Sequence, residues 1–385
     1  MSPIKERAEP TMTRVSIIGC GFVADLYMRS LACFPHVSVD RVYDRNADRL
    51  KAFADHWSVP TCDSLDAFFQ GLPLGSLVLN LTNPKSHFEI NKACLEAGHH
   101  VYSEKPLAVD MDEARALYEL AAAKGLMLAS APCSVLGEAA QTLGKALRDG
   151  VAGAPRLIYA ELDDGFIPQA PFADWKSESG AAWPAEDEFR VGCTLEHAGY
   201  YLAWLISYFG SVRRVVAASA EVIPDKDPSG AGTPDYSSAT LYFENGPVTR
   251  LTCSIVAPHD HQIRVIGDNG VLGLKRAWDN RAPVKFYRRM RVRRRLLELP
   301  FGRRIRLSGQ THPFAGKWGA ANMNFALGPV EMLESLKENR ACRLSNDFAL
   351  HLNEVTLAIQ NAGDSTGPQD MTTRCDPMEP MPWAT

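Results

Sequence analysis

One segment near the N-terminus constrains the fold of this chain more than any other. The sequence VSIIGCGFVADLY joins an apolar run to a helical one through Gly19, Gly21 and Ala24, which are spaced as G-x-G-x-x-A. Gly19 permits a tight turn, Gly21 lets the backbone approach a pyrophosphate, and Ala24 allows close packing of the helix on the strand. The helix N-terminus then faces the phosphates. The segment predicts a dinucleotide-binding βαβ unit.

The surrounding sequence extends this unit into a domain. Apolar runs alternate with amphipathic segments from Arg14 to about Pro132, which is typical of a doubly wound parallel sheet. We therefore expect an α/β chain with a Rossmann domain over residues 13–133. Residues 1–12 are polar and contain two prolines, which predicts a mobile lead-in.

A different pattern follows over residues 134–385 and predicts an α+β domain. Short turns such as ENG and DNG between strand-like runs indicate an open, mainly antiparallel sheet. The Pro-rich tail, residues 364–385, is expected to lie extended over a surface. The expected helices are 137–149, 194–209, 319–338 and 347–362, and the expected strands are 155–163, 212–222, 238–244, 248–256 and 262–266.

The cofactor is expected to be NAD. Asp44 ends the second strand 20 residues after Ala24, where a carboxylate accepts hydrogen bonds from the adenosine ribose and repels the 2′-phosphate of NADP. Arg45 tempers this expectation, because it would pair with that phosphate if Asp44 turned away. An exposed arginine at a helix start is the alternative interpretation of Arg45.

Composition excludes several classes of protein. With 46% hydrophobic and 22% charged residues the chain is globular in type. The sequence contains no apolar stretch long enough for a membrane span, and its polar start lacks a signal-peptide core. Nine scattered cysteines without a C-x-x-C pair indicate a reducing, cytoplasmic location. The net charge of −4 gives no attraction to nucleic acid.

Two further motifs point to a family. Thr82, Asn83 and His87 form T-N-P-x-x-H after the third strand, and Glu104-Lys105-Pro106 follows the fourth. Together with the glycine turn they resemble the glucose-fructose oxidoreductase, inositol dehydrogenase and MocA family, specifically over residues 13–133 and more loosely to about residue 363. The family more often has T-P-N where this chain has T-N-P.

The resemblance implies roles for these residues. The lysine of E-K-P, here Lys105, would act at a substrate hydroxyl beside the nicotinamide, and its bond to proline is often cis. An ammonium at the carboxyl end of a Rossmann strand also lies where such sheets bind ligands, and the charge of a bound oxidised nicotinamide should depress its pKa. A surface lysine paired with Glu104 is the alternative. The expected cofactor groove comprises Gly19, Gly21, Phe22, Val23, Ala24, Asp44, Arg45, Thr82, Asn83, His87, Glu104 and Lys105; His87 is equally suited to capping or packing.

The segment VGCTLEHAGYYLAWLISYFG predicts a helix that aligns with the family's G-x-L-x-D-x-G-x-H-x-x-D helix. With Gly199 matched, His197, Tyr201 and Trp204 replace the motif's aspartate, histidine and final aspartate. We expect Tyr201 to face the reacting oxygen, Lys105 to polarise it, and His197 to orient or relay a proton. The alternative is an aromatic helix face packed in a core.

The substrate wall is less constrained. Cys133, Asp163, Asp164 and Trp175 are candidates, since an aromatic platform with carboxylate partners suits a sugar ring. No metal is expected, because His259 and His261 stand on alternate strand positions without further ligands.

Residues 286–307 hold nine arginines and one glutamate, so the remainder of the chain sums to −12. The favoured interpretation is a solvated edge hairpin that blocks strand addition and pairs with acidic groups or an oligomer partner. Recognition of an anion, such as a nucleotide-sugar diphosphate or an acidic lipid surface, is the alternative. Nucleic acid ranks third, because no binding motif accompanies the run.

Three functions remain open. The first is an NAD-dependent dehydrogenase or reductase acting on a CH-OH group of a sugar, polyol or nucleotide-sugar. The second is a redox-neutral glycosidase, lyase or epimerase that retains NAD, and the third is a non-catalytic dinucleotide sensor. The resemblance also implies a homodimer or homotetramer.

Overall fold

The computed structural model describes residues 13–227, 230, 232–316 and 322–385. The predicted lead-in, residues 1–12, and the start of the predicted helix 319–338 lie outside these ranges. Two sheets divide the described chain, one parallel and one mainly antiparallel. The α/β fold class, with a Rossmann domain followed by an α+β domain, is therefore confirmed.

The first sheet has the strand order β2-β1-β3-β4-β5, and all its strands are parallel. An isolated parallel bridge from Val42 to Thr61 extends it beyond β2. The chain reverses its winding direction between β1 and β3, so a crevice opens at their carboxyl ends, where such sheets bind ligands. The strands are β1 (Thr13–Ile18), β2 (Val37–Tyr43), β3 (Leu77–Asn80), β4 (His100–Ser103) and β5 (Leu128–Ser130), and the helices are α1 (Phe22–Leu31), α2 (Ala47–Trp57), α3 (Leu65–Phe69), α4 (His87–Glu96) and α5 (Met111–Lys124).

The second sheet has eleven strands, in which β6 and β9 pair in parallel and the other named pairs are antiparallel. Its strands are β6 (Pro155–Phe166), β7 (Val212–Ala220), β8 (Tyr236–Phe243), β9 (Val248–Ser254), β10 (Val256–Asp260), β11 (Ile263–Gly267), β12 (Gly270–Leu274), β13 (Lys285–Val292), β14 (Arg295–Glu298), β15 (Arg303–Arg304) and β16 (Gln369–Asp370). The helices are α6 (Glu138–Arg148), α7 (Ala185–Val191), α8 (Gly199–Phe209), α9 (Leu327–Glu338) and α10 (Asp347–Gln360).

The predicted helix over 194–209 is not uniform. Residues 194–198 form a π-helical turn, and α8 continues from Gly199. A π turn shifts the angular position of each residue relative to an α-helix. The residues of this segment therefore do not keep the regular α-helical spacing of the predicted helix.

The arginine run lies at one edge of the second sheet, as a hairpin formed by β13 and β14. Its side chains are largely exposed, including the apolar residues Leu296 and Phe301. Among the residues that the structure describes, none of the arginines from 288 to 306 forms an ion pair with a carboxylate. The expected edge hairpin is present, and its binding partner stays a prediction.

The C-terminal tail follows the surface of the second domain. Strand β16 pairs with the edge strand β7, and the Ala384 carbonyl accepts a hydrogen bond from Arg148 on α6 at 2.6 Å. In the described ranges, no helix combines the length and apolar character that a membrane crossing requires.

Candidate active site

The glycine turn has the shape that phosphate binding requires. Gly19 has a φ of +99°, and a Cβ there would lie 2.6 Å from the carbonyl carbon and oxygen of Leu81. Gly21 precedes α1 without a side-chain cap, and a Cβ there would meet no atom within 4 Å. The first helical residues, Phe22 and Val23, are half-buried, whereas Ala24 is fully buried. The uncapped amides of α1 and the open space at Gly21 therefore fit a dinucleotide pyrophosphate.

Asp44 lies at the end of β2, where the sequence placed it, but its carboxylate is already engaged. It accepts hydrogen bonds from the Cys20 amide at 2.9 Å and the Asn46 amide at 2.8 Å. Arg49 on α2 also donates to it through Nε at 3.0 Å and Nη2 at 3.1 Å. Arg45 is exposed. Sequence reasoning considered Arg45 as the basic neighbour and missed Arg49.

Hydrogen bonds to Asn80, the last residue of β3, hold the loop that follows this strand in place. Asn80 accepts hydrogen bonds from the Thr82 hydroxyl at 2.6 Å and the Thr82 amide at 3.2 Å. His87 is fully buried, with Nδ1 2.6 Å from the Pro106 carbonyl and Nε2 2.9 Å from the Thr82 carbonyl. Burial lowers the pKa of His87. His87 therefore ties the Thr82 loop to the E-K-P segment as a packing residue.

The E-K-P segment follows β4, and the bond between Lys105 and Pro106 is cis, in agreement with the resemblance. Glu104 is buried and accepts hydrogen bonds from the Tyr27 hydroxyl at 2.7 Å and the Lys105 amide at 2.9 Å. The Lys105 ammonium does not pair with Glu104. It donates to the carboxylate of Glu196, in the π turn of the second domain.

This ion pair belongs to a larger charged cluster. Burial alone would lower the pKa of Lys105, but the charges of Glu196 and Glu188 outweigh it and raise the pKa well above its usual value. Burial, followed by the charge of Glu196, raises the pKa of Glu188 well above the usual carboxyl range. Burial and Glu196 therefore favour the protonated form of Glu188, which is hydrogen-bonded to Glu196 and interacts with Lys105.

The aromatic residues of α8 occupy positions other than those expected. Tyr200 interacts electrostatically with Lys105, and its ring centroid lies 4.4 Å from that of Trp278. Among the residues that the structure describes, the buried Tyr201 hydroxyl has no hydrogen-bond partner. Burial raises the pKa of Tyr201, and the charges of Asp164 and Asp260 raise it further. The structure thus brings Tyr200, and not Tyr201, to Lys105.

His197 lies between Lys105 and the second sheet. Its Nδ1 is 3.3 Å from Oδ2 of Asp164 on β6. Burial lowers the pKa of His197 against the opposing charge of Asp164, and the Lys105 charge lowers it further. The imidazole therefore favours its uncharged form, and it contacts Asp164 of the second sheet while interacting electrostatically with Lys105.

The expected substrate residues do not converge on one pocket. Asp163 and Asp164 point to opposite faces of β6 because they are neighbours in a strand. Asp164 contacts His197, whereas Asp163 accepts a hydrogen bond from Ser254 at 2.6 Å.

The other two candidates differ in burial. Cys133 is buried, and its thiol lies 3.4 Å from the carbonyl oxygen of Phe325. Trp175 is half-buried against Trp183, with ring centroids 5.2 Å apart. Of these four residues, Asp164 is the one that contacts His197.

Comparison with known proteins gives this site its class, an NAD-binding oxidoreductase. Residues 13–131 match the model of the oxidoreductase family with an NAD-binding Rossmann fold, and residues 140–273 match the GFO/IDH/MocA C-terminal domain. The chain belongs to the GFO/IDH/MocA family.

Individual relatives are distant. The chain is 24% identical to mouse trans-1,2-dihydrobenzene-1,2-diol dehydrogenase over 69% of its length and 75% of that protein. It is 22% identical to Thermotoga maritima myo-inositol 2-dehydrogenase over 67% of its length and 73% of that protein. Its fold resembles KijD10, a 3-ketoreductase from Actinomadura kijaniata in complex with TDP-benzene and NADP, with a TM-score of 0.68 and 19% identity over 91% and 98% of the two chains.

Proposed function

We propose that this protein is an NAD-dependent oxidoreductase that transfers a hydride between the nicotinamide and a secondary alcohol or ketone of a sugar, polyol or nucleotide-sugar. The observation that carries the proposal is the Lys105–Glu196 pair at the carboxyl end of β4. An ammonium with a buried proton acceptor, next to a phosphate-binding turn, suits the removal of a hydroxyl proton.

The cofactor would be held by the chain's own groups in the crevice of the first sheet. The amides at the start of α1 suit the pyrophosphate, and the Asp44 carboxylate at the end of β2 suits the adenosine ribose. Bound NAD would supply the acceptor for the hydride, which carries both electrons of the substrate C–H bond. We favour NAD over NADP because Asp44 is a buried carboxylate at the ribose position.

The proton would leave through the charged cluster. Lys105 would pass one proton to Glu196, and its freed lone pair would then accept the hydroxyl proton of the substrate. The O–H bond of the substrate would break in this transfer, and its two electrons would remain on oxygen to form the carbonyl. Glu188, which is hydrogen-bonded to Glu196, would extend this proton path. Its protonated form would stabilise the Glu196 carboxylate by that hydrogen bond.

We propose that Tyr200 fills the role that the sequence assigned to Tyr201. A register one residue earlier puts Gly192, Glu196, Ala198 and Tyr200 on the G, D, G and H positions of the family helix. Burial raises the pKa of Tyr200, against the opposing charge of Lys105. We therefore assign Tyr200 the role of a neutral hydrogen-bond donor to the reacting oxygen, with His197 as an orienting residue.

The substrate class follows from the relatives and the site wall. The names of the mouse and Thermotoga relatives refer to a cyclic diol and to a cyclitol, and the Actinomadura structure contains a nucleotide derivative. A ring with neighbouring hydroxyls offers oxygens to Lys105, Tyr200 and His197 together. Trp175, in its aromatic cluster, is suited to one face of such a ring.

Turnover by the purified protein tests this function. With added NAD and a panel of polyols, sugars and nucleotide-sugars, we expect net NADH formation. Conversion of substrate without net NADH would favour the redox-neutral alternative, and tight NAD binding without any turnover would favour the sensor.

A matched pair of variants tests the site. Lys105→Ala should lower kcat by about 10²- to 10⁴-fold and leave NAD affinity nearly unchanged. Lys124→Ala, at the exposed end of α5, should change neither quantity. Activity that survives in Lys105→Ala overturns the assignment.

We also propose a cytoplasmic homodimer or homotetramer. The nine cysteines are all unpaired, which supports a reducing compartment. The second sheet carries a cavity of about 450 Å³ on one face, walled in part by Tyr159, Arg264 and Tyr287, and a partner subunit would cover it. Sedimentation equilibrium should give two or four chains per particle, and a monomer at micromolar concentration would contradict this assembly.

A further inference from the structure

Three side chains meet on the second sheet beside the proposed active site. Oδ1 of Asp164 lies 3.1 Å from Nε2 of His261 and 3.6 Å from Nδ1 of His259. One ligand atom from each residue falls within 4.8 Å of the other two. Sequence reasoning rejected a metal here because two histidines lacked a third ligand, and the fold supplies Asp164 as that ligand.

An irregularity in the strand pairing creates this arrangement. Strand β10 pairs with β6 through Ala257 opposite Gly165 and Asp260 opposite Asp163, so two residues of β10 lie opposite Asp164 alone. Such a bulge re-aims side chains. His259 packs over Gly165, where a Cβ would lie 3.0 Å from its Nε2. A side chain at residue 165 would therefore displace His259.

One ring nitrogen of the cluster, Nε2 of His261, is buried without a hydrogen-bond partner among the described residues. Nε2 of His261 and Nδ1 of His197 are both buried and close to Asp164, yet neither is aligned for a hydrogen bond. The His261 ring is held in place by Trp278, which stacks on it with centroids 5.9 Å apart. Buried nitrogens without hydrogen bonds are rare in folded proteins, and a bound cation would satisfy the one on His261.

We infer that Asp164, His259 and His261 bind a divalent transition-metal ion of the Zn²⁺ type. Two ligands about 2.0–2.1 Å from a tetrahedral ion are roughly 3.3 Å apart, close to the two separations from Asp164. Rotation of His259, whose side chain is exposed, brings its nitrogen within range. His197, 3.3 Å from Oδ2, would orient the free oxygen of the carboxylate.

The ligand set also selects the kind of ion. Two imidazoles and one carboxylate suit Zn²⁺, Co²⁺ or Fe²⁺, whereas Mg²⁺ and Ca²⁺ prefer oxygen ligands alone. Three protein ligands leave at least one coordination position open. Because His197 contacts Asp164 and also interacts electrostatically with Lys105, that position is suited to a second oxygen of the substrate. Hydride transfer at Lys105 does not require the ion, so the site is an addition to the proposed function.

Cobalt binding to the tag-free full chain, without NAD or substrate, tests the inference. Titration with Co²⁺ should give about one visible absorption signal per chain, which Zn²⁺ displaces and excess Mg²⁺ does not. His259→Gln, His261→Gln and Asp164→Asn should each weaken Co²⁺ binding by about tenfold or more. His36→Gln, in the first domain, is the matched control and should bind as the wild type does.

The outcomes are separable from failure of the enzyme assignment. NAD affinity, measured on each variant, reports folding, and the exposed His259 gives a variant that does not disturb the core. If the His259 and His261 variants bind Co²⁺ as tightly as the wild type, or if the wild type binds none, the metal site is overturned. Either result leaves the role of Lys105 unaffected.

Discussion

Arg49 donates two hydrogen bonds to the carboxylate of Asp44, from Nε at 3.0 Å and from Nη2 at 3.1 Å. Asp44 is buried, whereas the side chain of Arg49 is partly exposed. The residue expected to select NAD is thus bound to a residue able to pair with a 2′-phosphate. Choice between the two cofactors depends on which member of the pair faces the ribose.

Removal of Asp44 should weaken NAD binding more than NADP binding. Loss of a charge-assisted hydrogen bond costs about 1.5–3 kcal/mol, so Asp44→Ala should raise the Kd for NAD by roughly 10- to 100-fold. Freed Arg49 then partly compensates for the loss with NADP. Cofactor titrations followed by protein fluorescence give both constants.

The Arg49→Ala variant is the control for this prediction. It should leave NAD binding within about threefold of the wild type and weaken any residual NADP binding, because a bidentate partner for phosphate is lost. Equal losses of both cofactors in Asp44→Ala would contradict selection by this carboxylate.

The neighbouring tyrosines of α8 form a second matched pair. Tyr200→Phe removes a hydroxyl near Lys105 and should lower kcat by about 10- to 100-fold with little effect on NAD affinity. Tyr201→Phe removes a buried hydroxyl that has no hydrogen-bond partner, so it should leave kcat unchanged and raise the free energy of unfolding by up to about 1 kcal/mol. Steady-state kinetics and urea unfolding measure the two effects. The reverse ranking of kcat would restore Tyr201 as the group at the reacting oxygen.

The first domain was predictable because its signals are local. Gly19, Gly21 and Ala24 lie within one strand-turn-helix segment, and the strand alternation sets the topology of the parallel sheet. The approximate bounds of α6, β9 and α10 also followed from periodicity. Arg49 was missed although it lies only five residues after Asp44, because the position of α2 decides whether its side chain turns back.

The contacts that the second domain adds to the site join residues far apart in the sequence, so spacing along the chain does not predict them. Glu196 meets Lys105 through the docking of two domains, and the π turn over 194–198 displaces the helical register by which Tyr201 was chosen. Asp164 joins His259 and His261 because of a bulge between β6 and β10. The sequence did contain a usable signal for Glu196. His197 departs from the aspartate of the family motif, and the adjacent Glu196 offers the acidic residue that the motif requires.

A buried histidine should make the stability of the protein depend on pH. His351 on α10 accepts a hydrogen bond at Nε2 from the Val212 amide, 2.9 Å away, and burial lowers its pKa to about 4. Below about pH 6.5 the unfolded chain binds a proton here that the folded chain does not bind until about pH 4. Stability is therefore lost as the pH falls through this window, by up to about 3 kcal/mol from this residue.

Urea unfolding at pH 4.5, 5.5, 6.5 and 7.5 measures this dependence. His351→Gln keeps a polar side chain but cannot take up the proton, so its free energy of unfolding should fall less steeply with decreasing pH. The slopes of wild type and variant should differ by up to the equivalent of one bound proton. His36→Gln is the control and should keep the wild-type slope. Identical slopes in wild type and His351→Gln would show that His351 does not titrate as its burial indicates.

The two glycines of the turn should separate folding from cofactor binding. At Gly19 a Cβ would lie 2.6 Å from the Leu81 backbone, and its φ of +99° disfavours any other residue. Gly19→Ala should therefore destabilise the protein by several kcal/mol. At Gly21 no atom lies within 4 Å of a Cβ and φ is −79°, so Gly21→Ala should keep its Tm within a few degrees of the wild type.

A side chain at Gly21 should weaken NAD binding although it leaves the stability of the protein nearly unchanged. The space in front of Gly21 is where the pyrophosphate would approach the amides of α1, and a methyl group there holds the phosphates away from them. Gly21→Ala should thus raise the Kd for NAD by about tenfold or more while the protein remains folded. Thermal unfolding and NAD titration of the same preparation give both quantities. Unchanged NAD affinity in a folded Gly21→Ala protein would place the pyrophosphate elsewhere in the crevice, because a methyl group at Gly21 would obstruct a pyrophosphate bound in front of it.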